Sequence, residues 1–249
     1  MHLHDLPLDQ LELVSPTTVA PSIDLERLLK AARRRSGASG VHDAGSGLPR
    51  SHTRADADEE PLPLVDTVIA NTPEQRRAAF GLMSRRYAWR GYQASTELDS
   101  TLPRGARASF YVTLLAGSVE KPLGTVTIGV DAAAGLFVDD VNKREVDAVR
   151  AKGRRVCELI RLAVDEVADS RRVLASLFEA IYVLGRNIFD VTDVFVEVNP
   201  RHVMFYRRIF GFVVAAETKV CPRVGAPSVL LRLDVDQLEH RLSPFRAAA

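Results

Sequence analysis

The stretch VNPRHVMFYRRIFGF, residues 198–212, constrains the fold more than any other. The apolar run DVFVEVN that leads into it reads as a strand. Asn199-Pro200 must end that strand, because proline offers no N–H to a sheet ladder. Asn199 is a good helix cap, Pro200 fits a first helical turn, and Gly211 suits the left-handed residue that stops a helix. PRHVMFYRRIFG therefore reads as a short helix with His202 and Tyr206 one turn apart on one face, just past a strand end.

The chain before and after it alternates in the same way. Order is expected from about Leu64, with a strand in LVDTVIA and a helix in TPEQRRAAFGLMSRRYAW, where Thr72 is the cap and Pro73 and Glu74 sit in the first turn. GYQASTELDSTLPRGAR reads as a loop, and ASFYVTLLAG and KPLGTVTIGVD as an antiparallel pair joined across GSVEKP. The charged connection NKREVDAVRAKGRR, partly helical, leads to the strand RVCELIRLAVD. DSRRVLASLFEAIYVLGRNIF is a long helix with Val173, Leu177, Ile181 and Leu184 on one stripe. FVVAAETKVC and SVLLRLDVD close the order as two strands around PRVGAP. The sequence β-α-β-β-α-β-α-β-α-β-β predicts an α/β (α+β) fold, a mixed central sheet flanked by helices.

That domain is expected over residues 63–249. Residues 1–62 read as a disordered leader: Met1 to Pro61 hold no Phe, Trp or Tyr, and Gly, Ser, Pro and blocks of like charge dominate. A short helix in DLERLLKAARRR is the one element expected there, and a basic docking helix is the alternative to a disordered leader.

Composition narrows the function classes. A formal net charge of +1 provides no overall attraction to nucleic acid or to a membrane surface. Cys157 and Cys221 are too few for a disulfide framework or a Cys-rich metal site, and suit a reducing cytoplasm. The six histidines include no i,i+3 or i,i+4 pair, so no metal site is expected. The sequence has no apolar stretch of ~18 residues that could span a bilayer. A soluble, cytoplasmic protein is the expectation.

Three blocks carry a resemblance. CELIRLAVDE, VNPRHVMFYRRIFGF and CPRVGAPSVLLRLD, in that order, resemble the long-chain N-acyl amino acid synthase family. The element order with the second block resembles the wider Gcn5-related N-acyltransferase (GNAT) fold. CELIRLAV is also similar to the Glu-x-x-Arg strand of acyl-homoserine lactone synthases. The resemblance spans about residues 64–238. It implies transfer of a long-chain fatty acyl group from acyl carrier protein to the amino group of an amino acid. No tightly bound cofactor is then required, since the donor is the carrier's phosphopantetheine thioester. Two other readings stay open: a coenzyme A-dependent acetyltransferase, and a catalytically silent module that binds a carrier.

Amide formation from a thioester needs a base for the amine, a polarised carbonyl and a protonated leaving thiol. Glu158 is the candidate base, because burial in an apolar strand raises a carboxyl toward the working range. An ion pair with Arg161 or an exposed edge position is the alternative. Residues three apart face opposite sides of a regular strand, so Glu158 and Arg161 share a pocket only if the strand bulges. The GNAT resemblance implies such a bulge, with a backbone N–H for the oxyanion. It makes Arg161 a substrate-binding residue, and Tyr206 the donor to the departing thiolate; a plain core aromatic is the other reading of Tyr206. His202 and Asn199 order the helix start beside the substrate, and Glu197 is a second candidate base. Tyr87, Trp89 and Tyr92, with Arg85 or Arg86, in RRYAWRGY are candidates to close over the acyl chain and donor by similarity to carrier-dependent synthases; plain core and surface positions of an amphipathic helix are the alternative.

Coenzyme A users of this fold hold a pyrophosphate in a glycine-rich loop at a helix start. The corresponding VADSRRVLASLF has no glycine, which favours a carrier-bound donor. Carriers are acidic, so Arg154, Arg155, Arg171 and Arg172, with Arg150 and Lys152, form a candidate carrier-binding patch. A solvated face is the alternative for that run.

Overall fold

The structure, a computed structural model, describes residues 65–92, 110–133 and 135–246. The leader and most of the loop after Tyr92 lie outside the described residues. The described residues form an eight-stranded, mostly antiparallel sheet in the order β1-β2-β3-β4-β5-β8-β6, with β7 also pairing β8. The strands are β1 (Thr67–Ile69), β2 (Phe110–Gly117), β3 (Pro122–Val130), β4 (Val156–Val164), β5 (Asp193–Val198), β6 (Val213–Val214), β7 (Lys219–Cys221) and β8 (Ala226–Asp234). The helices are α1 (Pro73–Trp89), α2 (Asp139–Arg150), α3 (Ser170–Tyr182), α4 (Val203–Phe210) and α5 (Val235–Arg246).

Local chemistry explains most boundaries. Thr72 caps α1 by accepting from the Gln75 N–H, while the Gln75 side chain accepts from the Thr72 N–H. Asn199 accepts from the Arg201 N–H and opens a 3₁₀ turn, Pro200–His202, that runs into α4. Gly211, at φ 82°, ends α4 as expected of a left-handed stop. Past Tyr182, α3 widens into a π-helical turn, Val183–Ile188.

Two elements differ from the sequence expectation. FVVAAETKVC is not one strand but two, because four residues, Ala215 to Thr218, face only Val229 and Leu230 of β8. The excess loops out and splits the strand. SVLLRLDVD does not run to its end as a strand: Val235 turns into α5, whose buried Val235, Leu238 and Leu242 follow helical spacing.

The core divides by sheet face. Cys157 and Leu159 of β4 and Val194, Val196 and Val198 of β5 pack beneath α3, α4 and α5. Val156 and Phe195 point the other way, against Val146 and Val149 of α2. Alternation then breaks: Ala163 of β4 packs on the α1 side with Leu82 and Met83, while Leu162 joins the α3 side. An odd-numbered residue has taken an even-numbered face. Pairing with β3 shows why, since Thr127 opposes Ile160 and Thr125 opposes Ala163, leaving Arg161 and Leu162 together against Val126.

Gly129 of β3 faces Tyr111 of β2, and a Cβ there would sit 2.2 Å from the Tyr111 ring. The glycine lets that ring lie across the strand. Gly129→Ala is expected to displace Tyr111 and destabilise the fold by about 1–3 kcal/mol, read by denaturant unfolding. An unchanged midpoint would show that the ring has room to move.

Candidate active site

β4 and β5 are the parallel neighbours in the sheet, paired from Val156–Asp193 to Leu159–Val196. Beyond that point the bulge turns β4 aside and the two strands part. A cavity of ≈ 420 Å³ opens in the gap. It reaches through the sheet: Phe137, Glu197 and Arg223 line it from the α1/α2 side, and Leu174, Phe205 and Tyr206 from the α3/α4 side. The bulge lies in its wall, and both Glu158 and Arg161 line it. Arg161 takes a left-handed φ of 57°, which costs a non-glycine residue about 1–2 kcal/mol and marks the distortion that the slot requires.

Glu158 is 2% exposed, so the edge position is excluded. Its Oε1 accepts from the Tyr111 hydroxyl at 2.7 Å and the Phe137 N–H at 2.9 Å, and its Oε2 accepts from the Val138 N–H at 2.8 Å. The two amides belong to the turn that starts α2, so one carboxylate fixes β4, β2 and α2 relative to each other. Burial raises its pKa above the ordinary carboxyl value, and the three donors oppose that shift without cancelling it.

Glu197 lines the same cavity but is engaged differently. Arg223 donates to its Oε2 and Asn142 to its Oε1 at 3.1 Å. Burial raises its carboxyl, against the Arg223 charge. Arg223 also donates to the Phe137 carbonyl at 2.9 Å and lies 5.4 Å from the Phe137 ring. Sequence reasoning passed over Arg223 and Tyr111. An arginine in the turn CPRVGAP looks like a solvated residue, and Tyr111 looks like an ordinary strand aromatic; only the long-range pairings give either a place in the site.

Tyr206 is both core aromatic and cavity wall. Its ring packs edge-on at 5.7 Å from Phe205 and 5.5 Å from Phe212. Burial pushes its phenol well above the ordinary value, so it is a protonated hydroxyl at neutral pH. Tyr87 lines the cavity too, and burial pushes its phenol up to about 12 against the Arg161 charge. The His202 Nε2 lies 2.8 Å from the Arg90 guanidinium and accepts from Arg201 Nε at 3.2 Å. Arginine has no acceptor, so Nε2 carries no proton. Burial and the two arginines lower its pKa, and the imidazole is neutral at pH 7. It orders the helix start, with Asn199 beside it at the cavity wall.

Trp89 does not belong to the cavity. It is 69% exposed, with the Arg86 and Arg90 guanidinium groups 4.9 and 5.7 Å from its ring. The arginine patch is also corrected. Arg154 and Arg155 precede β4 whereas Arg171 and Arg172 follow it, and nine strand residues separate the pairs by about 30 Å. Arg154 is spent on Asp193 and Asp234, Arg155 on Asp190, and Arg150 on Asp131, Asp139 and Asp147. Arg171 and Arg172 remain near the cavity, at the start of α3 beside Ser170. Their own N–H groups donate to the Asp169 carboxylate at 3.1 and 3.3 Å.

Among the described residues no cluster of His, Cys, Asp or Glu is arranged to hold a metal, and no helix is long and apolar enough to cross a membrane.

Residues 78–234 match the family model described as N-acyl amino acid synthase FeeM. Among solved structures, FeeM, an N-acyl amino acid synthase from uncultured soil microbes, is similar with a TM-score of 0.62 and 26% identity, over 72% of this chain and 94% of that one. The AHL synthase LasI aligns with a TM-score of 0.48 and 14% identity, over 72% and 95% of the two chains. An acyl-CoA N-acyltransferase from Pseudomonas aeruginosa aligns at 0.46 and 17%, over 68% and 98%. No curated protein sequence matches the chain.

Proposed function

The chain belongs to the N-acyl amino acid synthase FeeM family of GNAT-fold N-acyltransferases, and we propose that it moves a long-chain fatty acyl group from acyl carrier protein to the amino group of an amino acid. The observation that carries this reading is the slot through the sheet at the β4 bulge. Glu158 from the α1/α2 side and Tyr206 from the α3/α4 side line that one cavity, so a thioester arm and an amine entering from the two sides would meet between them.

The chemistry balances with these groups. The amine nitrogen attacks the thioester carbonyl, the C–N bond forms and the C–S bond breaks. Glu158 takes the proton that the amine must lose, the Tyr206 hydroxyl donates to the thiolate that leaves, and exchange with water returns a proton to Tyr206 and takes the one held by Glu158. A backbone N–H freed from the β3 ladder by the bulge meets the oxygen on which charge develops, an effect typically worth ~3 kcal/mol. Arg161 holds the acceptor's carboxylate or the arm's phosphate. Glu197 is the weaker base, because its carboxylate is paired directly with the Arg223 cation, which lowers its affinity for a proton. Holding amine and thioester together removes a further large part of the barrier.

The start of α3 supports a carrier-bound donor over coenzyme A. The Asp169 carboxylate takes the N–H groups that a pyrophosphate would need there, and adds a negative charge at the same place. A phosphopantetheine arm carries one phosphate and makes no such demand.

Mass spectrometry of lipid extracts from a bacterium expressing the protein tests the reading. A fatty-acyl amino acid absent from the vector control, and absent again with Glu158→Gln, is expected. Extracts indistinguishable from the control across the amide-linked lipid range would contradict it.

A further inference from the structure

Trp89, the one tryptophan of the chain, stands outside the cavity yet close to its rim. It is not isolated. On α4, Tyr206 and Phe210 point inward, while Met204, Phe205 and Ile209 are 49%, 38% and 39% exposed. Met204 lies one turn from Arg208, and Phe205 one turn from Ile209, so two neighbouring columns of apolar and cationic side chains run along the outer side of the helix. The end of α1 is joined to this face: Arg90 contacts His202 at 2.8 Å, and Arg201 reaches the Tyr92 hydroxyl at 3.4 Å. Among the described residues, Arg90, Arg201 and Arg208 have no carboxylate partner, whereas Arg150, Arg154 and Arg155 at the far end of β4 are all paired. Arg90, His202 and Phe205 line the cavity as well as this face, so the face borders its opening.

We propose that this face, formed by the end of α1 and the outer side of α4, is the docking surface for the acyl carrier, a small acidic domain that presents its thioester on a phosphopantetheine arm. The inference rests on the carrier-bound donor proposed above. Arginines without a carboxylate partner among the described residues suit an anionic partner, and the apolar centre of Trp89, Met204 and Phe205 suits one that excludes water from the contact. An acidic carrier meets both demands, and its arm would enter the cavity over the Arg90–His202 rim. An anionic bilayer also offers charge and apolar surface, but lying on this rim it would cover the opening through which the arm must pass.

Trp89 reports on the face directly, because no other indole contributes to its emission. Wild-type protein is titrated with holo-carrier bearing a free thiol and, separately, with phosphatidylglycerol vesicles, while Trp89 emission is followed. Acyl transfer from acyl-carrier and from carrier-free acyl-pantetheine is then compared in wild type and Met204→Glu/Arg208→Glu, neither residue being part of the cavity. The expected result is a saturable emission change with holo-carrier that weakens with salt. The double variant should show a rise of roughly tenfold or more in KM for acyl-carrier with little change in kcat, and unaltered transfer from acyl-pantetheine. Turnover of acyl-carrier with silent Trp89 emission and an unchanged KM would move docking elsewhere while leaving the donor intact. Emission that answers to vesicles alone would make the face a lipid contact. Equal loss with acyl-pantetheine would make the face part of the active site instead. Failure of wild type to use acyl-carrier at all would remove the donor reading, and this inference with it.

Discussion

Glu158→Gln is expected to lower the turnover of acyl transfer by roughly a hundredfold or more, the usual loss when a general base is removed. The structure adds a cost in stability. An amide has one acceptor oxygen for the three donors that Glu158 now satisfies. If that oxygen keeps Tyr111 and the Phe137 N–H, the new NH₂ group faces the Val138 N–H. A buried amide left without a partner costs about 1–3 kcal/mol, so turnover must be measured on protein shown to be folded. The pH profile separates the two effects. Burial raises the Glu158 carboxyl, so its base form is lost as pH falls through a value above the ordinary carboxyl range. Wild-type activity should fall on the acid side at that raised value, whereas the variant should lack this limb and recover partly at high pH, where the acceptor amine is already deprotonated. The stability linkage has the opposite sense: a raised carboxyl contributes most below its unfolded value and loses that contribution as pH rises through the folded one. Tyr206→Phe should cost less, within roughly tenfold, because a thiolate is a tolerable leaving group near neutral pH. The ranking is the test. A Glu158→Gln enzyme with full activity and an unaltered profile would move the base to Glu197 or to a water.

Much of this architecture can be read from side-chain type and spacing. Asn199, Pro200 and Gly211 mark the ends of the α4 segment by their own backbone chemistry, and the structure places each where that chemistry requires. The bulge is legible only indirectly. Glu158 and Arg161 have the wrong parity to share a pocket, and the strand resolves this by setting Arg161 and Leu162 against Val126. What the sequence hides are features made by distant pairings. Tyr111 and Glu158 are 47 residues apart, and Arg223 and Glu197 are 26 apart. No local pattern reports such contacts. The arginine patch misled for the same reason: arginines that look clustered along the chain are divided by the length of one strand. α5 was hidden differently, because LRLDVD continues an alternating pattern that Val235 then uses as the start of a helical stripe.

The choice of donor turns on the start of α3. The Asp169 carboxylate occupies the Arg171 and Arg172 N–H groups at the start of α3, so the pyrophosphate of coenzyme A would meet like charge in place of free donors. Like-charge contact of this kind costs several kcal/mol, enough for roughly a hundredfold in efficiency. The most direct measurement is kcat/KM of the purified protein with a long-chain acyl-acyl carrier protein and with the coenzyme A thioester of the same acyl chain, using one amino acid acceptor. The expected result is a preference of about two orders of magnitude for the carrier-bound donor, expressed mainly in KM. Equal efficiency with the two donors, or a preference for the coenzyme A thioester, would contradict it.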